Sequence, residues 1–498
     1  MTTWLPDPSH YPEQMTPLSA TVWFEAMGSG LHEAMRELRG PFGGFETRTE
    51  LGWAYEHELE PAWEPEPERL REAALELPER WERERLPRVR AITAELESLR
   101  PEHPRPDEAR ALFDRLWELV QEQWRLHFLT VIPAQIAAEV LHDRYAERVG
   151  DDDPLAAYRL LAGIANPADD ELRALAALAR DLEVARDIVE YAPEHALRRL
   201  RRSGPGRRWL HALDAYLLRY GGRARWHELS LPREAEFPAL TLESVRLWLE
   251  RAVPDTVNAA VPDTVDATMP DTVEAGDMAE LVERVRAAYA LKELHTSEID
   301  YPGLLATREA LLGFGRRLVA EGALDDPGDV WMLERSELRA AITGETTHLR
   351  ELVRARRAEL ARGLAEGPKP FLGDPPADAD RHAALEKFYG RGGEALRGAA
   401  ASPGSAEGIA RVVADTTDFG RVRAGDVLVT TTTTPAWTPL FPSLAALVTE
   451  TGGILSHAAV VAREYGIPAV VGAAGATRTI ADGVRVRVDG SAGEVTLL

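Results

Sequence analysis

One histidine in the sequence is placed where an imidazole can act as a nucleophile. His457 follows two adjacent glycines, Gly452 and Gly453, and stands between an apolar run that ends at Thr449 and a helical pattern that begins at Ala458. In the first turn of a helix, free backbone N–H groups and the helix dipole stabilise an anion and favour neutral imidazole over imidazolium. Neutral imidazole keeps a ring nitrogen for attack, and the glycines leave room for a bulky group. A phosphoryl group on the imidazole of His457 would therefore be stabilised at this position.

Side chains around this turn are candidates to support the charge. Thr451 and Ser456 can donate hydrogen bonds to phosphoryl oxygens, although helix capping alone accounts for Ser456. Arg463 follows His457 by six residues and projects from another face of the helix, so a structural salt bridge is a simpler role for it than direct contact. For His457 itself, the alternative is a structural histidine that only hydrogen-bonds nearby backbone.

Four residues upstream are candidates for the site of an acceptor. Arg223 lies in a Gly-Gly-Arg turn and Arg308 in a largely apolar helix, and positive charge is what a transferring phosphoryl group needs. Glu298 and Asp300 alternate along a segment that we expect to be extended, so both would lie on one face and could deprotonate a hydroxyl or bind a metal. Surface ion pairs and solvated loop carboxylates are the simpler alternatives.

The other histidines do not suggest a metal site. His127, His211, His227 and His295 are scattered without the short spacings that are typical of metal ligands. We therefore expect no metal site in this chain.

Amphipathic helices dominate the first four-fifths of the sequence. Apolar residues recur every three or four positions in seven segments, which are residues 66–99, 106–127, 169–191, 207–220, 278–293, 302–321 and 334–364. Prolines, among them Pro106, Pro133 and Pro167, are expected at the ends of these helices. Residues 253–276 repeat an octad with one proline in each copy, which predicts a solvated loop or, as the alternative, a docking motif.

The pattern changes near the C-terminus. Residues 390–408 are rich in glycine and predict a flexible hinge. Beyond them, short apolar runs predict strands at residues 409–413, 426–430, 445–449, 469–471, 484–488 and 494–497. The predicted fold class is α+β and multidomain, with a mainly helical region over residues 1–389 and a small domain over residues 409–498.

Composition excludes several functions. Acidic residues outnumber basic ones by 82 to 58, so nucleic acid and anionic membranes are unfavourable partners. The chain has no cysteine, which excludes disulfides and thiolate chemistry, and no Gly-Lys pair, which excludes a P-loop. No secretory signal or membrane span is evident, and we expect a cytoplasmic protein.

The run from Thr451 to Gly472 closely resembles the phosphohistidine signature of the phosphoenolpyruvate (PEP)-utilising enzymes. The resemblance extends from Ala401 through the segment Thr434–Phe441 to Val495. It implies that His457 is the phosphorylated residue, that residues 409–498 form a β/β/α swivelling domain, and that this domain moves across the 390–408 hinge. A barrel that binds PEP follows this domain in some members, and the sequence stops at Leu498, so we do not expect PEP chemistry within this chain.

A swivelling domain after a large helical region is similar to the arrangement in rifampin phosphotransferase. Met15-Thr16-Pro17-Leu18, Tyr220-Gly221-Gly222-Arg223 and Asp329-Val330-Trp331-Met332-Leu333 resemble elements of its helical antibiotic-binding domain, with Gly222 in place of a histidine. The resemblance does not include the ATP-grasp domain of that family. It therefore implies that a separate ATP-grasp protein supplies the phosphoryl group and brings ATP and magnesium, as in the similar phosphohistidine subunit of phenylphosphate synthase.

These observations predict a phosphotransferase subunit that transfers a phosphoryl group from His457 to the hydroxyl of a small molecule bound in the helical region. Two alternatives stay open at this point. One is a PEP-dependent phosphocarrier, and the other is a catalytically inactive protein that binds or sequesters a ligand.

Overall fold

The computed structural model divides the chain into two compact units. Unit 1 comprises Met1–Asp151, His227–Leu231 and Asp271–Pro376, and unit 2 comprises Asp152–Trp226, Pro232–Pro270 and Ala377–Leu498. The structure describes residues 2–6, 11, 13–102, 105–149, 156–161, 164, 167–222, 228–251, 277–345, 348–374, 395–414, 416–433, 435–454 and 456–498. The octad repeat, Arg223 and His227 lie outside these residues. Within the described part of the chain, no helix has the length and apolar character needed to cross a membrane.

Unit 1 is built mainly of helices around one long helix, Pro106–Val149, which packs against Gly28–Leu38, Pro67–Leu75 and Asp277–His295. The other helices of the unit are Pro17–Thr21, Leu77–Arg80, Leu86–Ser98, Tyr301–Ala320, Arg335–Ile342 and Leu349–Glu366, with π-helical segments Val22–Met27, Trp81–Arg85 and Thr296–Asp300 and a 3-10 helix Pro327–Met332. The predicted helical segments of this region are confirmed, although residues 334–364 form two helices rather than one.

The prediction that Pro133 marks a helix end is wrong. Pro133 lies inside Pro106–Val149, where it cannot donate a hydrogen bond to the carbonyl of Leu129. The guanidinium of Arg85, a buried side chain, donates to that carbonyl instead. Burial lowers the pKa of Arg85 to about 10, so the group still carries its charge at neutral pH. A buried cation from the neighbouring segment thus replaces the missing backbone donor and lets the helix continue.

Unit 1 also contains a four-stranded antiparallel sheet that the helical pattern did not predict. Its strands lie in the order Gly44–Glu50, Trp53–Leu59, Thr3–Pro6 and Leu372–Gly373. Leu51 and Gly52, with φ of +52° and +84°, form the two-residue turn between the first two strands. Turns with two left-handed residues match the twist of a hairpin, which explains the pairing of two strands that are rich in charge.

Unit 2 contains helices Ala156–Arg159, Pro167–Ala179, Leu182–Glu190, Pro193–Leu200, Gly204–Tyr220 and Ala239–Arg251. The predicted helix over residues 169–191 is therefore two helices. Asp181 ends the first by capping the second, since its side chain accepts a hydrogen bond of 3.1 Å from the backbone N–H of Glu183.

The C-terminal part of unit 2 is an eight-stranded sheet in the order Ala395–Arg397, Glu494–Leu497, Arg485–Asp489, Ser405–Val412, Val427–Thr430, Ala446–Thr449, Ala469–Val471 and Ala399–Ser402. The four strands from Ser405–Val412 to Ala469–Val471 are parallel, and the pairs beyond them are antiparallel. Helices His457–Glu464 and Ala476–Thr479 and 3-10 helices Thr416–Arg421 and Pro435–Ser443 complete the domain. The α+β, multidomain fold class and the predicted strands are confirmed.

Residues 395–408 do not form the predicted hinge. They supply two whole strands and the start of a third, because their backbone groups pair with the strands Glu494–Leu497, Ala469–Val471 and Arg485–Asp489. Residues 390–394 lie outside the described part of the chain. Glycine content alone misled the prediction, since Gly398 and Gly408 lie against backbone of neighbouring segments, where a Cβ would meet carbonyl oxygens at 2.4 and 2.6 Å.

The helices of unit 2 share a core with this sheet. Leu175, Trp209 and Trp248 belong to the same buried cluster as Trp437 and Phe441 on one face of the sheet. A second cluster, which includes Val427, Val429 and Val486, fills the other face. The structure therefore divides the chain differently from the predicted boundary, because the described helices between residues 167 and 251 share a buried cluster with the C-terminal domain.

Candidate functional site

The turn before His457 leaves the carboxyl edge of the parallel strands and leads directly into a helix. It follows the strand Ala446–Thr449, and the helix begins at His457. Gly452 has φ of +100°, and a Cβ there would lie 3.0 Å from Cβ and Oγ of Ser456. Only glycine fits this position without strain. The Oγ of Ser456 accepts a hydrogen bond of 3.4 Å from the backbone N–H of Ala459, so the predicted N-cap is confirmed.

His457 is half-buried and lies beside the 3-10 helix Pro435–Ser443. The hydroxyl of Thr438, a buried residue, is 3.5 Å from Nε2 of His457. The ring of Phe441 meets the imidazole edge-on, with ring centres 6.3 Å apart and planes at 76°. Nε2 is therefore the ring nitrogen beside a hydroxyl donor, and the ring orientation is limited by an aromatic side chain.

The other predicted supporting residues hold the turn in place. Thr451 is buried, and both its backbone N–H and its hydroxyl donate to the carbonyl of Thr431 at 3.0 Å. Arg463 donates from Nη1 to the carbonyl of Ala401 at 2.7 Å, which connects the His457 helix to an edge strand. Gly453 is exposed, and a Cβ there would meet no atom within 4 Å. The hydroxyl of Thr451 and Nη1 of Arg463 thus stabilise the structure around the turn. The exposed Gly453 leaves the surface of the turn open.

Glu450 adds an anchor that sequence reasoning missed. Its Oε1 accepts hydrogen bonds from the backbone N–H of Thr477 at 2.8 Å and from the Thr477 hydroxyl at 2.5 Å. Glu450, the first residue of the turn, is therefore attached to the helix Ala476–Thr479. No pattern in the local sequence connects these two residues.

This arrangement can perform nucleophilic group transfer at Nε2. A lone pair on Nε2 can attack an electrophilic phosphorus, and the product would carry its charge at the N-terminus of a helix and next to the Thr438 hydroxyl. Both features stabilise negative charge that forms on the transferred group.

Among the predicted acceptor residues that the structure describes, Glu298, Asp300 and Arg308 have different partners, and Arg223 lies outside the described residues. Glu298 forms an ion pair with Arg90 at 3.3 Å, and Arg308 is buried, where it donates to the carbonyl of Leu229 at 2.5 Å. The guanidinium of Arg308 also lies 5.4 Å from the ring centre of Trp331. The simpler alternative of a surface ion pair does not fit Arg308, because its side chain is buried.

Asp300 lies in a different setting from the one predicted. Residues Thr296–Asp300 form a π-helical segment, so the expectation of an extended segment is wrong. The helices place the Asp300 carboxylate between His127 and His295, with one oxygen 2.8 Å from His127 Nδ1 and the other 3.3 Å from His295 Nε2. The spacing of His127 and His295 in the sequence did not indicate this contact, because the fold joins residues that are far apart in sequence. The expectation of no metal site stays a prediction.

Unit 1 has a cleft of about 840 Å³ that can hold a small molecule. The segment Val22–Met27, the first hairpin and the helix Leu349–Glu366 line it, and its side chains include Phe24, Arg48, Arg356 and Arg362. Met15 and Pro17, from the motif Met15-Thr16-Pro17-Leu18, also line it.

The motif beside this cleft is held by a buried carboxylate. Oε1 of Glu228 accepts hydrogen bonds from the hydroxyls of Thr16 at 2.7 Å and Ser19 at 2.5 Å. Sequence reasoning missed Glu228, since it lies far along the chain from the motif that it orients.

Two family models match the chain. Residues 422–493 match the mobile domain of PEP-utilising enzymes, and residues 127–295 match the fourth domain of rifampicin phosphotransferase. The first match contains the whole turn, the helix of His457, the 3-10 helix Pro435–Ser443 and three of the four parallel strands described above. The C-terminal domain is a PEP-utiliser mobile domain.

Full-length relatives extend the similarity beyond the mobile domain. Chondramide synthase cmdD of Chondromyces crocatus is 31% identical over 99% of this chain and 14% of its own length. The rifampicin phosphotransferase of Streptomyces sviceus is 31% identical over 78% of this chain and 46% of its own length. The uncharacterized phosphotransferase YvkC of Bacillus subtilis is 28% identical, with coverage of 78% and 48%. This chain thus spans less than half the length of each of these three relatives.

Thr438 and Phe441 lie beside His457 in the mobile domain, and sequence reasoning assigned neither of them a role. Both lie in the segment Thr434–Phe441, which resembles the family. The signal was therefore present as a motif, but the contact with the imidazole becomes visible only when the 3-10 helix is placed against the His457 helix.

Proposed function

We propose that this chain carries a phosphoryl group on Nε2 of His457 and transfers it to the hydroxyl of a small molecule. The observation that carries the proposal is the position of Nε2, at the first residue of a capped helix and 3.5 Å from the Thr438 hydroxyl, in a PEP-utiliser mobile domain. Relatives that are named phosphotransferases support the same reaction class.

In the first step, the Nε2 lone pair attacks the phosphorus of the donor, an N–P bond forms, and the P–O bond to the leaving group breaks. In the second step, the acceptor oxygen attacks the same phosphorus, the N–P bond breaks, and the hydroxyl proton passes to a base. The imidazole is regenerated, so the two steps form a complete cycle.

The nucleotide is handled by a separate ATP-grasp protein, which brings ATP and magnesium. Two observations support this part of the proposal. The sequence has no Gly-Lys pair of a P-loop, and its family matches are to the fourth domain of rifampicin phosphotransferase and to the mobile domain of PEP-utilising enzymes.

The acceptor binds in the cleft of unit 1. Its volume of about 840 Å³ falls within the range of small-molecule sites. Among the described residues, three arginines and five glutamates line it, so arginine is available to contact a phosphoryl group although the cleft carries more acidic than basic side chains. Rifampicin is the first acceptor to test, because relatives that share up to 43% identity with part of this chain are named for its phosphorylation.

A pulse–chase experiment on the full chain tests the proposal. The protein is incubated with a candidate ATP-grasp protein, magnesium and ³²P-labelled ATP, separated from the donor, and then mixed with rifampicin or a panel of phenols and alcohols. We expect label on wild type, none on His457→Ala, and loss of the label to a small molecule when an acceptor is added.

Other outcomes decide between the remaining functions. Label that arises only from PEP would identify a PEP-dependent phosphocarrier. A protein that binds members of the panel but accepts label from neither donor would be a binding protein, and the proposal would be wrong.

A further inference from the structure

Three ligand-type side chains meet in unit 1, outside the site that contains His457. His127 lies in the middle of the long helix Pro106–Val149, His295 is the last residue of Asp277–His295, and Asp300 is the last residue of the π-helical segment that follows. One donor atom from each of the three lies within 4.8 Å of the others. This set is called the His-Asp-His cluster below.

The carboxylate stands between the two imidazoles. Oδ1 of Asp300 is 2.8 Å from Nδ1 of His127, and Oδ2 is 3.3 Å from Nε2 of His295. The two imidazole ring centres are 4.8 Å apart, with planes at 77°. Three donors from three elements thus converge on one point instead of forming separate surface contacts.

Burial makes the cluster a polar site in apolar surroundings that remains open to a small ion. The side chains of His127, His295 and Asp300 are 14%, 12% and 17% exposed. Trp124 and Phe128 pack their rings edge-on against His127, with centre distances of 4.9 and 4.8 Å. The imidazole of His127 is therefore held in its orientation before any ligand arrives.

The segment that carries Asp300 is also held. The side-chain N–H of Gln123 donates to the carbonyl of Ile299 at 2.9 Å, and Gln123 comes from the same long helix as His127. Both donors are therefore anchored to one rigid element, which is the kind of support that ligand sites receive from surrounding residues.

One atom of the cluster is buried without a hydrogen-bond partner. Nδ1 of His295 has no partner among the described residues. A buried polar atom without a partner costs about 1–3 kcal/mol. This atom is not the one that faces Asp300, because Nε2 of the same ring lies 3.3 Å from the carboxylate.

The donor atoms of the cluster suit a cation. Asp300 offers two carboxylate oxygens, and each of them lies beside a nitrogen of one imidazole, so oxygen and nitrogen donors stand together.

We propose that the His-Asp-His cluster binds one divalent transition-metal ion of the zinc class. Two imidazoles and one carboxylate suit zinc, iron or nickel, whereas magnesium and calcium prefer oxygen donors alone. Bonds from zinc to nitrogen or oxygen are about 2.0–2.2 Å, so two donors on one ion lie at most about 4.4 Å apart and the side chains must close slightly around it. Three protein ligands leave a coordination position for water. The proposal is independent of phosphoryl transfer by His457.

Equilibrium binding of zinc to the full chain tests the proposal. The protein is stripped of metal with EDTA, dialysed and titrated with ZnCl₂ in an isothermal titration calorimeter. Bound metal is measured after gel filtration by inductively coupled plasma mass spectrometry. Co²⁺ serves as a spectroscopic probe, because tetrahedral ligation by nitrogen and carboxylate gives visible absorption much stronger than that of free aqueous Co²⁺. We expect one equivalent of zinc, and a higher unfolding temperature in its presence.

Variants locate the ion. His295→Ala and Asp300→Asn are expected to weaken zinc binding at least tenfold and to abolish the Co²⁺ absorption. His211→Ala is the matched control, since His211 is an exposed histidine on a helix of unit 2, and it should bind like wild type. Circular dichroism and unfolding without metal identify any variant that fails to fold, in which case His127→Gln replaces it.

Two results would overturn the proposal. One is wild-type protein that retains less than about half an equivalent of zinc and shows no Co²⁺ absorption. The other is a folded His295→Ala or Asp300→Asn protein that binds zinc as tightly as wild type. Neither result bears on His457, whose phosphorylation is measured without zinc.

Discussion

The hydroxyl of Thr438 is the structural feature whose removal tests the geometry at His457 most selectively. Thr438→Val removes the oxygen that lies 3.5 Å from Nε2 and keeps the shape of a buried side chain. This contact is at the long limit of a hydrogen bond, so the loss of this contact alone costs below about 0.5 kcal/mol. Urea unfolding of the variant measures what the buried hydroxyl contributes to stability, so that an effect on the rate can be separated from a loss of fold.

The effect on phosphorylation is larger, because the hydroxyl can then donate to a charged oxygen. A hydrogen bond to a charged group contributes about 1.5–3 kcal/mol, and each 1.4 kcal/mol is a factor of about ten in rate. We expect Thr438→Val to slow phosphorylation of His457 by about 10- to 100-fold, and Thr438→Ser to retain most of the rate.

The assay uses a chemical donor, so that it does not depend on a partner protein. The full chain is treated with phosphoramidate, and acid-labile phosphate on the protein is followed over time. Thr433→Val is the matched control, since Thr433 is a buried threonine of the same domain whose hydroxyl has no partner among the described residues. A Thr438→Val rate within twofold of wild type, or an equal loss in Thr433→Val, would refute the role of the hydroxyl.

Three further predictions concern stability and are measured by urea unfolding. Gly452→Ala should cost about 1–2 kcal/mol, because φ is +100° and the new Cβ would lie 3.0 Å from Ser456, whereas Gly453→Ala meets no atom and should cost below about 0.5 kcal/mol. Ser456→Ala should cost about 1 kcal/mol through loss of the helix cap, and Ser456→Asp should not. Arg85→Met should cost about 1–3 kcal/mol by leaving a buried carbonyl unpaired, and less in Pro133→Ala protein, where alanine supplies the missing N–H.

Specific results would contradict each of these three. Equal stability of the two glycine variants would show that the turn tolerates a side chain at Gly452. A Ser456→Asp protein as unstable as Ser456→Ala would rule out the cap as the cause. Additive effects of the Arg85 and Pro133 substitutions would show that the arginine does not replace the backbone donor.

The local order of the site could be predicted from sequence, because each of its signals spans a few residues. An apolar strand, a glycine turn, a serine cap and an amphipathic helix follow one another around His457, and the structure places all four as predicted. Backbone preference and capping act between near neighbours, which is why they are readable without an alignment.

Contacts between distant residues could not be predicted in this way. The His-Asp-His cluster joins a residue in the middle of one helix to the ends of two later elements, and only the packing of those helices brings the donors together. The same reason applies to Thr438 beside His457 and to Arg85 beside Pro133. In each case the partner lies on a segment whose position depends on the whole core.

Composition misled the prediction where burial decides the outcome. The glycines between residues 395 and 408 indicated a hinge. Their segment instead forms the two edge strands of the sheet, and each of these strands pairs with one neighbour. The division at residue 390 failed for a related reason, since the described helices between residues 167 and 251 bury apolar side chains in one cluster with the C-terminal domain.

Intact-protein mass measures the central claim most directly. Wild type and His457→Ala are incubated with ATP, magnesium and an ATP-grasp protein, or with PEP. The mass of each protein is then measured by mass spectrometry before and after brief acid treatment. The account predicts a gain of about 80 Da, one phosphoryl group, on wild type alone, and its loss in acid. No gain with either donor, or an equal gain on His457→Ala, would contradict it.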